Sequence, residues 1–128
     1  MKFLCLGYYD PTRFDNMSET EQEAIARECR PHDQALYATG RVVSVASLAH
    51  RTAVTLRPEN GRTRVIDGPF AETKEVVGSF FIVEAENLDE AVRIASLHPA
   101  AKWGEHLGFA VEVRPIDAWI VPDADTSA

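Results

Sequence analysis

Cys29 and His32 stand three residues apart, and His98 lies toward the other end of the chain. A thiol beside an imidazole can lose its proton and become a nucleophile, and a neutral imidazole can act as a general base. The same Cys29, on an apolar helical stripe, is equally accounted for as an unreactive core residue. Together with Asp33, these side chains are acceptable zinc ligands, but no Cys-x-x-Cys or His-x-x-x-His spacing accompanies them, and no metal is expected. A second group follows in Asp67-Gly68-Pro69-Phe70-Ala71-Glu72-Thr73-Lys74-Glu75. Asp67 is a candidate for acid–base work, with Phe70, Glu72 and Lys74 as candidate ligand contacts. The bland alternative has Asp67 capping its own turn and Glu72 pairing with Lys74 on the surface. Phe70 would either plug the core or line a pocket. His50 and His106 fall in expected loops and read as solvated. Trp103 and Trp119 flank the last strand and suit an interface or a pocket.

These residues need elements to position them. Lys2 to Tyr9 reads as a strand that is apolar on both faces, with Leu4, Leu6 and Tyr8 on one side and Phe3, Cys5 and Tyr9 on the other. Ser18 with Glu21 forms a capping-box pattern that starts a helix after the loop 10–17. Ile25, Cys29, His32 and Leu36 form its apolar stripe, Pro31 predicts a kink, and Gly40 a stop. Val42 to Leu48 is a second strand. Thr52 to Arg57 and Thr63 to Asp67 form a hairpin around Pro58-Glu59-Asn60-Gly61. Ser79 to Glu84 is a strongly apolar strand. Asn87 caps a second helix whose inner stripe is expected at Leu88, Ala91, Val92, Ala95 and His98, with Pro99 ending it. Phe109 to Arg114 is the last strand, with Glu112 and Arg114 on the face opposite Phe109, Val111 and Val113. A domain over 1–116 and a frayed tail over 117–128 are expected.

The order is β-α-β, hairpin, β-α-β, which predicts a ferredoxin-like βαββαβ α+β sandwich with an inserted hairpin. Two helices cover one face of such a sheet. The other face keeps Leu4, Leu6, Tyr8 and alternate residues of Ser79–Glu84, which predicts a homodimer paired through that face.

Composition limits the partners. The 128 residues carry 13 basic and 20 acidic side chains, a net charge of −7, with 45% hydrophobic and 26% charged residues. That is one globular domain of ordinary size. No basic block stands out for phosphate neutralisation, so no nucleic acid is expected. No apolar run nears the roughly 18–20 residues that span a bilayer, so no membrane is expected. Met1-Lys2 and the short apolar run after it do not make a secretory signal. Two cysteines, Cys5 and Cys29, form no disulfide framework and suit a reducing cytoplasm.

The stretch beginning Asp67-Gly68-Pro69-Phe70 resembles the signature of the DGPF family, within the YCII-related proteins. Met1 to Asp10, Glu28-Cys29 with Gly40, Gly78-Ser79-Phe80-Phe81, Asp89-Glu90-Ala91 and Val111 to Ile116 fall in matching order. The resemblance implies a ferredoxin-like dimeric α/β barrel and, by gene neighbourhood, an association with extracytoplasmic-function sigma factors. The broader group carries a histidine on the first helix and an aspartate just after the second, proposed as a catalytic pair. Here those positions match Cys29 and His98. A small-molecule-binding homodimer is therefore the leading expectation, with Cys29, His32, Asp67, Phe70 and His98 at its pocket. A cofactor-free oxygenase or isomerase, with His98 or His32 as base, is the alternative that fold analogy supplies. A sigma-factor partner is a third.

Overall fold

The computed structural model describes residues 1–123. Six strands and three helices follow in the order β1 (Lys2–Tyr9), α1 (Glu19–Tyr37), β2 (Val42–Ser47), β3 (Val54–Glu59), β4 (Arg62–Asp67), β5 (Val76–Glu84), α2 (Leu88–Ala95), α3 (Pro99–Lys102) and β6 (Ala110–Pro115). Short 3-10 turns occupy Pro11–Arg13 and Glu105–Leu107. The result is a mixed α+β chain with antiparallel sheets. Four strands make one sheet in the order β2-β5-β1-β6, and β3 pairs with β4 alone.

Strand alternation divides the large sheet into two faces. Cys5 lies opposite both Phe81 and Val113, and Phe3 opposite Val83. These residues point toward the helices, where Leu36 of α1 and Ala91, Ile94 and Ala95 of α2 close the core. Phe3, Cys5, Leu36, Phe81 and Val83 are completely buried. Each such side chain contributes about 1.5–3 kcal/mol by leaving water. On the reverse face Leu4 pairs with Ile82 and Leu6 with Phe80, flanked on β6 by Arg114 and Glu112.

α1 begins as its sequence dictates. Ser18 Oγ accepts from the Glu21 amide at 3.1 Å, and Glu21 returns a carboxylate oxygen to the Ser18 amide at 3.4 Å. The helix continues through Pro31, which has no N–H for the Arg27 carbonyl. Leu36 is its one fully buried residue, so α1 stands off the sheet over most of its length. That gap becomes the cleft described below.

Two expectations require correction around α2. Its buried residues are Ala91, Ile94 and Ala95, whereas Leu88 and Val92 are exposed. Small alanines let the helix lie close to the sheet, and that close approach fixes the phase of so short a helix. The stripe does not run on to His98 either. α2 ends at Ala95, and Pro99 opens α3 with His98 as its N-cap. Proline suits that first helical position because the missing N–H would have had no partner.

The hairpin turn is tighter than the four residues expected. β3 runs to Glu59 and β4 starts at Arg62, so Asn60 (φ 52°) and Gly61 (φ 75°) alone make the turn. Gly68 closes its base, donating to the Ala53 carbonyl at 2.8 Å. After β6, the Ile116 amide bonds the Lys2 carbonyl, and the Lys2 ammonium lies 5.3 Å from the Trp119 ring centre. Of the expected tail, residues 124–128 lie outside the described residues, and 117–123 hold no helix or strand.

Candidate functional site

Between α1 and the sheet lies an apolar cleft of about 540 Å³. Its helical wall is the row Ile25, Cys29, Asp33 and Tyr37, at spacings of four, which places all of them on one face of α1. Gly7 and Ser79 from neighbouring central strands and Val45 from β2 form the floor. His98 and Pro99 close one end, and Tyr9, Phe14, His50 and Phe109 close the other.

Cys29 and His98 both line the cleft, while His32, half-buried on α1, does not. No hydrogen bond joins Cys29 to His98 among the described residues. Burial, reinforced by Asp33 and Glu28, pushes the Cys29 thiol up to about 11, so it stays protonated at neutral pH. Burial pushes His98 down to about 4 and keeps its imidazole neutral. Its ring stacks on Phe81 with centres 4.6 Å apart, and its Nδ1 accepts from the Ala100 amide at 3.0 Å. With Nδ1 used as acceptor, the proton belongs on Nε2, which leaves His98 a hydrogen-bond donor rather than a base.

The loop after β4 stands apart from the cleft. Asp67, Phe70, Glu72 and Lys74 are not among the cleft's lining residues. Phe70 neither plugs the core nor lines the cleft: it is 73% exposed, with the Arg57 guanidinium 5.1 Å from its ring centre. No ion pair joins Glu72 to Lys74 among the described residues. Lys74 instead helps, with the stronger Thr12 hydrogen bond, to hold the Asp10 carboxyl below its usual range. Hairpin β3–β4 carries this loop out with it, because the hairpin pairs with no strand of the large sheet.

The cleft's other end holds a hydrogen-bonded chain. Tyr9 Oη lies 2.8 Å from His50 Nδ1, and His50 Nε2 lies 2.9 Å from Asp15 Oδ1. Arg51 grips both oxygens of Asp15, at 2.8 Å from Nε and 2.6 Å from Nη2. Those Arg51 bonds, with His50 second, lower the Asp15 carboxyl to about 2. His50 is thus anchored by its partners while its side chain stays 39% exposed, in keeping with the solvated loop position expected. Tyr9 is fixed too, its ring set edge-on to Phe14 at 5.4 Å. The ring needs Gly78, since a Cβ there would come within 2.5 Å of it. Residues 9, 15 and 50 share no sequence motif. The one available signal was topological: β1 and β2 both run antiparallel to β5, so their C-terminal ends emerge at the same edge of the sheet.

Among the described residues, no group of three or more His, Cys, Asp or Glu could hold a metal ion. No helix there is long and apolar enough to cross a membrane.

An uncharacterized protein of Rhizobium meliloti (strain 1021) is 36% identical over 96 residues, which cover 74% of this chain and 77% of the relative. One similar solved structure is the 5-chloro-2-hydroxyhydroquinone dehydrochlorinase of Burkholderia phenoliruptrix AC1100, in complex with 2,5-dihydroxybenzoquinone. The match covers 91% of this chain and 94% of that one, at 23% identity and a TM-score of 0.40, too distant to carry an argument about activity. The YCII-related domain model matches residues 1–119, nearly the whole described chain, and the chain belongs to the YCII-related family.

Proposed function

We propose that this chain binds a small, largely apolar molecule in the cleft between α1 and the sheet. The observation that carries this reading is the cleft itself, about 540 Å³ and lined mostly by apolar atoms, with Ser79, Asp33, Tyr9 and His50 as scattered polar groups. Pockets that hold small ligands have that composition and size. Cys29 and His98 serve there as neutral wall residues, a thiol and a hydrogen-bond donor. The test is a fragment screen by saturation-transfer NMR, run on wild type and on Val45→Trp, whose indole fills the floor. Apolar fragments should bind wild type, and the variant should lose at least tenfold in affinity. Fragments that bind both proteins equally would defeat the reading.

The same reading extends to assembly. The β2-β5-β1-β6 order, with helices on one face, supports a ferredoxin-like βαββαβ domain with an inserted hairpin. Its Asp67-Gly68-Pro69-Phe70 loop supports the DGPF branch of the family. Leu4, Leu6, Phe80 and Ile82 on the reverse face support pairing of two copies into a dimeric α/β barrel. Two free thiols, Cys5 and Cys29, support a reducing, cytoplasmic setting.

A further inference from the structure

We propose that Tyr9, backed by His50 and Asp15, is a proton-transfer site for a ligand bearing a weakly acidic O–H, a phenol or an enol. The proposal rests on the cleft being a ligand site and names the chemistry at one end of it. Three observations carry it. The first is the direction of the chain of hydrogen bonds. Asp15 is gripped by Arg51 through both oxygens and can only accept, so His50 Nε2 must carry a proton and donate to it. Nδ1 of a neutral His50 is then bare and accepts from the Tyr9 hydroxyl at 2.8 Å. The phenol oxygen is left with free lone pairs at the cleft wall, its own proton already aimed at an imidazole.

The second observation is rigidity. Phe14, the bare backbone at Gly78 and the His50 ring hold the Tyr9 ring from three sides. A fixed donor–acceptor chain needs no reorganisation when a proton moves. The third is backbone strain. Arg51 has φ 62°, a left-handed conformation that non-glycine residues enter at a cost. That conformation lets Arg51 reach back to Asp15 while the preceding residue, His50, reaches Tyr9.

The step balances without any co-reactant. The ligand O–H gives its proton to the Tyr9 oxygen as the Tyr9 proton passes to His50 Nδ1. The products are a ligand phenolate or enolate, an intact Tyr9 and a His50 imidazolium paired with the Asp15 carboxylate. Reversal of the relay returns the proton, to the same oxygen or to a conjugated carbon, and the second outcome is an isomerisation. Imidazole as the proton acceptor sets the ligand class: it can take protons from phenols and enols but not from aliphatic alcohols. Tyr9 and Asp15 bond His50 directly, and Arg51, which holds Asp15, also feels Tyr9 and Asp10. Asp33, Cys29 and His98 face the ligand from the remaining cleft walls.

The probe is 4-nitrophenol, whose phenolate is coloured, titrated in the presence of wild type, Val45→Trp, His50→Asn, Asp15→Asn and Tyr9→Phe. Wild type should bind it and shift its ionisation downward by about one pH unit, a tenfold change in proton affinity. His50→Asn, Asp15→Asn and Tyr9→Phe should bind it but return its ionisation to the free-solution value. Binding by wild type with no such shift, or a shift that survives in His50→Asn, would overturn the relay and leave the cleft reading standing. Absence of binding, or binding untouched by Val45→Trp, would defeat the cleft reading and the relay with it. A ligand-free measurement guards against variants that fail to fold: ¹⁵N spectra of wild type should show His50 as the Nε2–H tautomer, and the Nδ1–H tautomer would overturn the proposal.

Discussion

The His98 imidazole packs flat on Phe81, caps α3 through Nδ1 and is held neutral, with its pKa down at about 4 against an ordinary 6.5. That depression links the ring to stability. Above pH 6.5 the imidazole is neutral in both folded and unfolded chains, and the full stability of the site is present. Between 6.5 and about 4 only the unfolded chain binds the proton, so stability falls as the solution is acidified. Below about 4 both states bind it and the loss levels off. Because the ring is only partly buried, screening by solvent reduces the effect to about 1–2 kcal/mol. His98→Asn keeps an acceptor for the Ala100 amide but cannot titrate. Urea unfolding at pH 7 and at pH 4.5 should show wild type losing about 1–2 kcal/mol more than this variant. Equal losses in the two proteins would mean that burial does not shift His98. The same burial that silences His98 as a base also keeps Cys29 protonated, and neither effect is visible in residue spacing. Cys29 and His98 stood out in the sequence because of their type, whereas Tyr9, His50 and Asp15 are hydrogen-bonded by geometry that no spacing announces.

At the scale of elements, local signals read well where a single residue does one job. Ser18 with Glu21, Asn87 with Glu90, and the Asn60-Gly61 turn all appear where capping and turn chemistry require them. The signals misled where one residue type has two uses. Pro99 can end a helix or begin one, and the sequence alone does not say that α2 stops at Ala95 and α3 starts at Pro99. The turn before β6 shows what else was illegible. Gly104 has φ 84°, and a Cβ on it would run into the Phe109 ring, which also packs against Trp103 and Phe14. Gly104→Ala should therefore cost about 2–4 kcal/mol, from the left-handed backbone and from displacing that ring. Gly40→Ala makes the control: φ is 70° there, but nothing lies within 4 Å, so only the backbone cost of about 1 kcal/mol remains. Equal losses for the two variants in urea unfolding would show that Phe109 simply moves aside. A larger loss at Gly104, with weaker fragment binding, would tie the turn to the cleft wall.

For the whole molecule the question is what covers the reverse face of the sheet. Leu4, Leu6, Phe80 and Ile82 form an apolar centre there, while Lys2 with Glu84 and Glu112 with Arg114 form ion pairs at its margins. An apolar centre inside a charged rim is the arrangement of protein interfaces. A second copy suits it best, because the sheet can pack on its own image about a two-fold axis, and each Leu6 then faces apolar surface. Sedimentation at micromolar concentration should give twice the 14.2 kDa chain mass. Phe80→Lys, which leaves the helix-side core untouched, should give the single-chain mass with unchanged circular dichroism, since only Leu6 and Ala46 lie opposite it and a buried ammonium finds no acid there. A monomeric wild type, or a variant still dimeric, would refute the pairing. The projecting hairpin makes a separate demand, because Val54, Leu56 and Val65 are all more than half exposed on it. Replacing those three with threonine keeps strand propensity and removes the apolar surface. Loss of the dimer would place the hairpin arm across the partner copy. A dimer that persists would leave the arm for another protein, and binding of an extracytoplasmic-function sigma factor to wild type but not to the threonine variant would identify it.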